Sequence, residues 1–388
     1  MYGKRIILKG RLVTPNDVSS SGDVIAIEGD SISFIGGFDS RLAGSDNQVF
    51  DFESSYICPG FIDMHIHGYA GADVMDCTVE SLDRVSWELA QRGTTSFLAT
   101  TMSAPSAQLV RAIGNIRDTK QQGTRGAQLL GCHLEGPFLN PGKKGAQKAG
   151  FLRLPSTTEL QDYLDAGRGC IRMITMAPEL AGAFEVIKMA GQMGIIVSLG
   201  HSEASLPQVA EACEAGLGHV THVFNAMDGL HHRDPGTTGA VLSMPSLSVD
   251  VIPDGFHVHP SVIKILIQSK GINRVSAISD CIRAGGLGDG EYELGGQRVL
   301  VKNGFANLAD GTLAGSTITL SEGLKVLVEK VGLSLAEAVK MVSLNPARTL
   351  GLTDRGVLER GKRADIVVLD THLNVLMTII AGRIVYKA

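Results

Sequence analysis

The sequence predicts an α/β protein: a (β/α)8 TIM-like barrel joined to a small β-sandwich domain formed by both termini. Three observations carry that expectation. Eight apolar, strand-like segments alternate with helix-like ones through the middle of the chain, and the two ends share a different, β-rich texture. Histidines and carboxylates gather at the C-terminal ends of the middle strands, where barrels keep their active sites.

Taken in order, the first sixty residues, of which 1–57 are assigned to the small domain, hold "KRIILKGRLVTP", "DVIAIEGDSISFIGG" and "QVFDFESSYICPG", short alternating segments separated by Gly, Asp and Asn. These read as strands and turns of the small domain. Residues 355–388, which include "RGVLERGKRADIVVLDTHLNVLMTIIAGRIVYKA", repeat that texture and complete it. Between them, residues 58–354 form the expected barrel. Its strands are "FIDMHIH", "TTSFLATT", "AQLLGCHLE", "CIRMITMAP", "GIIVSLGH", "HVTHVFNA", "LSVDVIPD" and "VSAISD". Helical periodicity runs through "TVESLDRVSWELAQRG", "SAQLVRAIGNIRDTKQQG", "ELAGAFEVIKMAGQMG" and "SLPQVAEACEAG". Ser156 followed by Glu159 reads as a capping box opening a further helix. Eight such units over roughly 250 residues is the count of a closed barrel, although alternation alone also fits a doubly wound open sheet. Two segments break the rhythm. "NPGKKGAQKAGFLRLP" is a long loop after the third strand, and "YELGGQRVLVKNGFANLADGTLAG" reads as hairpins inserted after the eighth. Long insertions in a compact domain are often functional.

Composition narrows the class. Of 388 residues, 44% are hydrophobic and 19% charged, with a mild net charge of −5. No basic run interleaved with aromatics appears, so nucleic acid is not an expected partner. The longest apolar runs are too short to span a membrane. "MYGKRIILKGRLVTP" lacks an apolar signal core, and the six cysteines show no CxxC spacing. Free thiols and a cytoplasmic location are expected.

The strand ends carry the chemistry. The first ends in His65 and His67, the third in His133 and Glu135, the fifth at His201, the sixth at His222 and the eighth at Asp280. Residues two apart on a strand face one side, so His65 and His67 can hold one ion together. Imidazole suits zinc, iron or nickel, and a carboxylate such as Glu135 can bridge two cations. His201 and His222 could complete the shell of a second ion, leaving Asp280 as general base and acid. A lone histidine at any of these positions is more often a packed core residue. Five candidate ligands and a carboxylate recurring at strand ends make the packing explanation improbable. Spacing alone leaves His219 as an alternative to His222, and His133 to Glu135. Cys281, beside Asp280, has no nearby base in the sequence and reads as a packing residue.

The motifs "PGFIDMHIHG", "HLEGPF", "GHSEA", "THVFNAM", "HHRDPG", "DGFHVHP", "AISD", "TLAGS" and "GKRADIVV" occur in this order. In that order the chain resembles, over essentially its whole length, the N-acetylglucosamine-6-phosphate deacetylases of the amidohydrolase superfamily. The resemblance implies a barrel of the amidohydrolase type and a divalent ion bound by Glu135, His201 and His222. Relatives without the HxH histidines keep one ion; this chain has both His65 and His67, which implies two ions with Glu135 bridging. Zinc, iron or another transition metal would suit such ligands. The resemblance also implies Asn225 and Ala226 against the sugar phosphate, Arg233 and His257 as phosphate ligands assisted by His232, and Leu313, Ala314 and Gly315 at the acetyl end. Ala146, Gln147 and Asp254 complete the implied substrate contacts. Many relatives carry a histidine where this chain has Gln147, which can donate a hydrogen bond but cannot carry a proton. The implied assembly is a homodimer in which the neighbouring subunit can supply a phosphate contact.

The expected reaction is therefore metal-dependent hydrolysis of N-acetyl-D-glucosamine 6-phosphate to D-glucosamine 6-phosphate and acetate, in amino-sugar catabolism. The galactosamine epimer is the nearest alternative. An amidohydrolase of cyclic amides or isoaspartyl dipeptides is disfavoured by "HHRDPG" and "DGFHVHP", since those substrates carry no phosphate. A non-catalytic interaction protein on the same fold ranks last, because every expected ligand is present.

Overall fold

A computed structural model describes residues 5–38 and 47–388. Residues 1–4, which begin the first expected strand and the stretch read for a leader, lie outside the described residues.

Eight parallel strands form the barrel wall: Phe61–Ile66, Thr94–Thr100, Gln128–Glu135, Ile171–Met176, Ile196–Leu199, Leu217–Val220, Ser248–Val251 and Val275–Ala277. They pair in chain order, each with the next. The two edges then meet. Ile66 bridges Cys281 in parallel, and the Asp280 amide donates to the His65 carbonyl at 2.9 Å. That closure excludes the open doubly wound sheet. Ile62, Met64, Leu98, Leu130, Met173 and Ile278 come from opposite sides of the wall yet form one buried cluster with Ala347 and Leu350. They can meet only inside the barrel, so the lower interior is a packed core rather than a channel.

The expected helices lie between the strands and are capped as their sequences suggest. Thr78 caps Val79–Ala90 through its hydroxyl, and Ser205 with Gln208 forms a capping box on Leu206–Ala215. At Thr157–Gly167 the outcome differs in one detail. Ser156 does accept from the Glu159 amide, but the Glu159 carboxylate turns away to Arg153 and Tyr163. The competing guanidinium wins because a charge-assisted pair outweighs a second capping bond. Among the described residues no helix is long and apolar enough to cross a membrane.

Both chain ends build one seven-stranded sheet. Ile6–Leu12, Asp23–Glu28, Ser31–Gly37 and Gln48–Pro59 come from the start, and Ile366–Leu369, Val375–Ile380 and Arg383–Lys387 from the end. Strand alternation tells where each face goes. Ile366 and Val368 enter the sheet's own core with Leu8, Ile25 and Ile57, whereas Val367 and Leu369 join the barrel's outer core. Arg355, nearly buried, fastens the two parts at the barrel's lower end. It donates to Ser96 and Gln128 of the barrel and lies 3.3 Å from Asp365, just before the sheet strand.

The insertion after the eighth strand is a three-stranded antiparallel sheet, Gly290–Leu294, Gln297–Lys302 and Phe305–Asn307. Its turns are Gly295–Gly296 and Asn303–Gly304, all with positive φ, as tight hairpins require. The long loop after the third strand contains two short 3-10 turns, Pro141–Lys143 and Ala149–Phe151.

Candidate active site

Each strand delivers its side chain to the same end of the barrel. His65 lies within the first strand and His67 one residue past it; Glu135 is the last residue of the third. His201, His222 and Asp280 differ from expectation. They lie two or three residues beyond their strands, in turns with φ of 49°, 33° and 48°. The turn carries each side chain back over the barrel mouth.

The result is two interlocking groups. His65, His67 and Asp280 form one, and Glu135, His201 and His222 the other, with the ligand atoms of each within 4.8 Å of one another. His201 Nε2 and His222 Nε2 each lie 3.2 Å from Glu135 Oε1. His67 Nε2 is 3.4 Å from Glu135 Oε2, and both His65 and His67 lie 3.3 Å from Asp280 Oδ1. Their own Nε2 atoms are 3.2 Å apart. All six residues are nearly buried.

These residues fit a divalent cation. His201 Nδ1 sits 2.9 Å from the Lys143 carbonyl and His67 Nδ1 3.2 Å from the Thr100 carbonyl. A carbonyl only accepts, so the proton resides on Nδ1 and the Nε2 lone pair points at a carboxylate. Lone pairs facing anions repel unless a cation lies between them, the usual arrangement behind a metal-ligating imidazole. The electrostatics agree. Burial pushes the Glu135 carboxyl up, whereas positive charge at His65 and hydrogen bonds from the other histidines, were they protonated, would hold it well below the usual range; burial drives His65 itself toward the neutral form, so that positive charge is left for a cation to supply. Asp280 is likewise opposed by burial and brought down to about 2 by His65 and His67. The site keeps both carboxylates ionised and demands positive charge.

The two spacing alternatives separate on geometry. Both ring nitrogens of His133 are engaged by the protein, Nδ1 with the Met64 carbonyl at 3.0 Å and Nε2 with Thr175 Oγ1 at 2.7 Å. His219 sits lower in its strand beside Ser248 and Asp250. Cys281 is packed: burial pushes its thiol well up, and its carbonyl accepts from the His67 amide.

Above the groups opens a cavity of about 350 Å³, within the range for a small-molecule site. Ala146, Gln147, Asn225, Ala226, His257, Leu313 and Gly315 line it, together with His67, Glu135, His201, His222 and Asp280. Four expected contacts do not. Asp254 instead holds His257, accepting from its Nδ1 at 2.7 Å and from its amide at 2.8 Å. Ala314 is buried behind the wall among Met102, Ile282 and Leu294. Arg233 and His232 lie on an exposed loop, side by side at 2.7 Å, away from their own cavity. Sequence reasoning missed Met102, Lys143 and Thr312, which also line the cavity; the long loop flagged by its length held the signal for Lys143.

Two glycines are needed for this geometry. A Cβ on Gly136, at φ 71°, would lie 2.3 Å from Ser103 Oγ, and one on Gly315, at φ 60°, would lie 2.8 Å from the Asp280 carbonyl. They account for the Gly in "HLEGPF" and in "TLAGS".

The amidohydrolase family matches residues 56–385. The chain belongs to that family. Among curated relatives of this amidohydrolase, the N-acetylglucosamine-6-phosphate deacetylase of Bacillus subtilis is 41% identical over 337 residues, covering 86% of this chain and 85% of the relative. The N-acetylgalactosamine-6-phosphate deacetylase of Escherichia coli O157:H7 is 38% identical, covering 87% and 89%. A solved mutant of the N-acetyl-D-glucosamine-6-phosphate deacetylase from Mycobacterium smegmatis, in complex with N-acetyl-D-glucosamine 6-phosphate, superposes with a TM-score of 0.93. It is 32% identical and covers 99% of this chain and 100% of that one.

Proposed function

We propose that this amidohydrolase hydrolyses N-acetyl-D-glucosamine 6-phosphate to D-glucosamine 6-phosphate and acetate. The observation that carries the reading is Glu135 and Asp280 facing four imidazole Nε2 atoms at the floor of a sugar-sized cavity. Similarity to deacetylases over most of the chain supports the substrate class.

Glu135, His201 and His222 would hold one divalent ion, zinc or iron, and His65 with His67 a second. A divalent ion at such a site supplies Lewis acidity and acidifies water toward neutral pH. Asp280 does the proton work. Its carboxylate accepts the proton of the attacking water and returns it to the departing nitrogen, a poor leaving group without it. His257, its ring fixed by Asp254, stands at the phosphate end of the sugar. Asn225 and Ala226 flank it, and anchoring that end brings the amide within attack distance. Leu313 and Gly315 lie against the acetyl end.

Arg233 and His232 project from an exposed loop, which supports a homodimer in which each copy offers Arg233 to its neighbour's phosphate. Arginine's planar fork suits that contact. Six unpaired cysteines support a reducing compartment, the cytoplasm.

Acetate release from metal-reconstituted protein tests the assignment, with the phosphorylated and plain sugars compared. Fast release from the phosphate ester alone supports it; equal release from both removes the phosphate site. The galactosamine epimer is a second reading, favoured by the 38% identical relative, and faster cleavage of that epimer would replace the first.

A further inference from the structure

We propose that Gln147 is a positioning residue for the carboxylate of Glu135 and acts on metal affinity rather than by touching the substrate. Its effect on turnover rests on the reading above; its effect on metal binding does not.

Gln147 is buried at 2% exposure, and its amide is clamped between two fixed groups. Oε1 accepts from the Ser103 amide at 2.8 Å. A backbone N–H can only donate, so this contact decides which end of the amide is oxygen. The NH2 end must then face Glu135, and Nε2 donates to Oε2 at 2.7 Å. Nε2's other neighbour is Met102 Sδ at 3.6 Å, a weak acceptor. The loop cannot slide to release this clamp. The Gln147 amide donates to the Lys144 carbonyl at 2.9 Å, and Gln297 donates to the carbonyl of Ala146.

The clamp gives the two oxygens of Glu135 different work. Oε1 lies between His201 and His222, each at 3.2 Å, with His65 Nε2 farther off at 3.6 Å. Oε2 is held by Gln147 and faces His67. Without the clamp, the carboxylate could rotate about its last bond and present either oxygen, or both, to one ion. With it, one lone pair of Oε2 is used and the other remains for an ion at His65 and His67. Gln147 thus orients a ligand in the manner of other outer partners of metal sites, whose loss typically costs about 10–100-fold in metal affinity. A histidine could do the same work, because an imidazole offers an acceptor and a donor on opposite sides of its ring. A methionine could do neither.

The test measures cobalt(II) affinity by chelator competition, with the visible spectrum of the bound ion, on the full chain. Gln147→Met is expected to weaken binding about 10–100-fold and alter the spectrum, and Gln147→His to restore both. Gln147→Asn, which retracts the amide by one methylene, should shift in the same direction as Met and serves if that variant does not fold. Wild-type affinity and spectrum in Gln147→Met, with only kcat reduced, would overturn the proposal and return Gln147 to the substrate. A wild-type chain that binds cobalt but cleaves no N-acetylhexosamine phosphate would remove the deacetylase reading and leave this one standing.

Discussion

Replacing Asp280 by asparagine separates proton transfer from every other role of that side chain. The amide has the same shape, and its oxygen can still face His65 and His67, which lie 3.3 Å from Oδ1. What it loses is basicity. A positioned general base contributes about 10²–10⁴-fold. The upper end applies here, because in the proposed mechanism the same group both takes a proton from water and delivers one to the amide nitrogen. The expected loss in kcat is therefore about 10⁴-fold, or about 5 kcal/mol of barrier. KM should move little, because His257, Asn225 and the rest of the cavity are untouched. Steady-state acetate release at matched metal content reads the effect. Turnover within about tenfold of wild type, at equal metal content, would place the base elsewhere.

Three further outcomes follow from the same geometry. His65→Asn combined with His67→Asn should lower bound metal from two ions per chain toward one by elemental analysis; an unchanged content would make the pair structural. Arg233→Ala should chiefly raise KM, and mixing it with Asp280→Asn under conditions of subunit exchange should restore activity, because the mixed dimer holds one site with Asp280 and the partner's arginine. No restoration, together with a raised KM, would put Arg233 in its own cavity. Arg355→Met should cost about 3 kcal/mol, the low end for breaking a buried pair, since Arg363 still faces Asp365 at 3.1 Å. Thermal unfolding reads it, with kcat/KM at 25 °C unchanged, and an unaltered midpoint would show that the fastening is dispensable.

What the sequence disclosed divides along a physical line. Periodicity reports which residues share a face, so the eight strands, the helices and the β-rich ends were legible from the pattern alone. Side chains borne at strand ends were equally legible: His65, His67 and Glu135 meet because the first and third strands end at the same mouth of the barrel. Reach is different. Arg233 sits only eight residues after Asn225, yet Asn225 lines the cavity and Arg233 does not; motif spacing says nothing of which way a loop leaves the barrel. Asp254 belonged to a recognised motif, but its contact with His257 is a local turn interaction. The partition of Gln147 between Ser103 and Glu135 joins residues 44 and 12 positions away, and no local pattern marks it.

The positive φ angles at His201, His222 and Asp280 explain how the two metal-facing groups are built. A non-glycine residue held there costs about 1–3 kcal/mol, and no glycine relieves it, since each position needs its side chain. Neighbouring contacts oppose that cost. The His201 carbonyl accepts from the Asn140 amide at 3.0 Å, the His222 carbonyl from the Asn225 amide at 3.0 Å, and the Asp280 carbonyl from the Ser316 amide at 2.7 Å. His65, His67 and Glu135 carry no such strain. Each group therefore combines unstrained ligands set by the barrel wall with strained ones folded back over the mouth. On the proposed metal reading, the wall would fix where a cation sits, and the turns would bring in the remaining ligands without lengthening the strands. A turn relaxed to ordinary φ would point its side chain away from Glu135, so the strain is what closes the site.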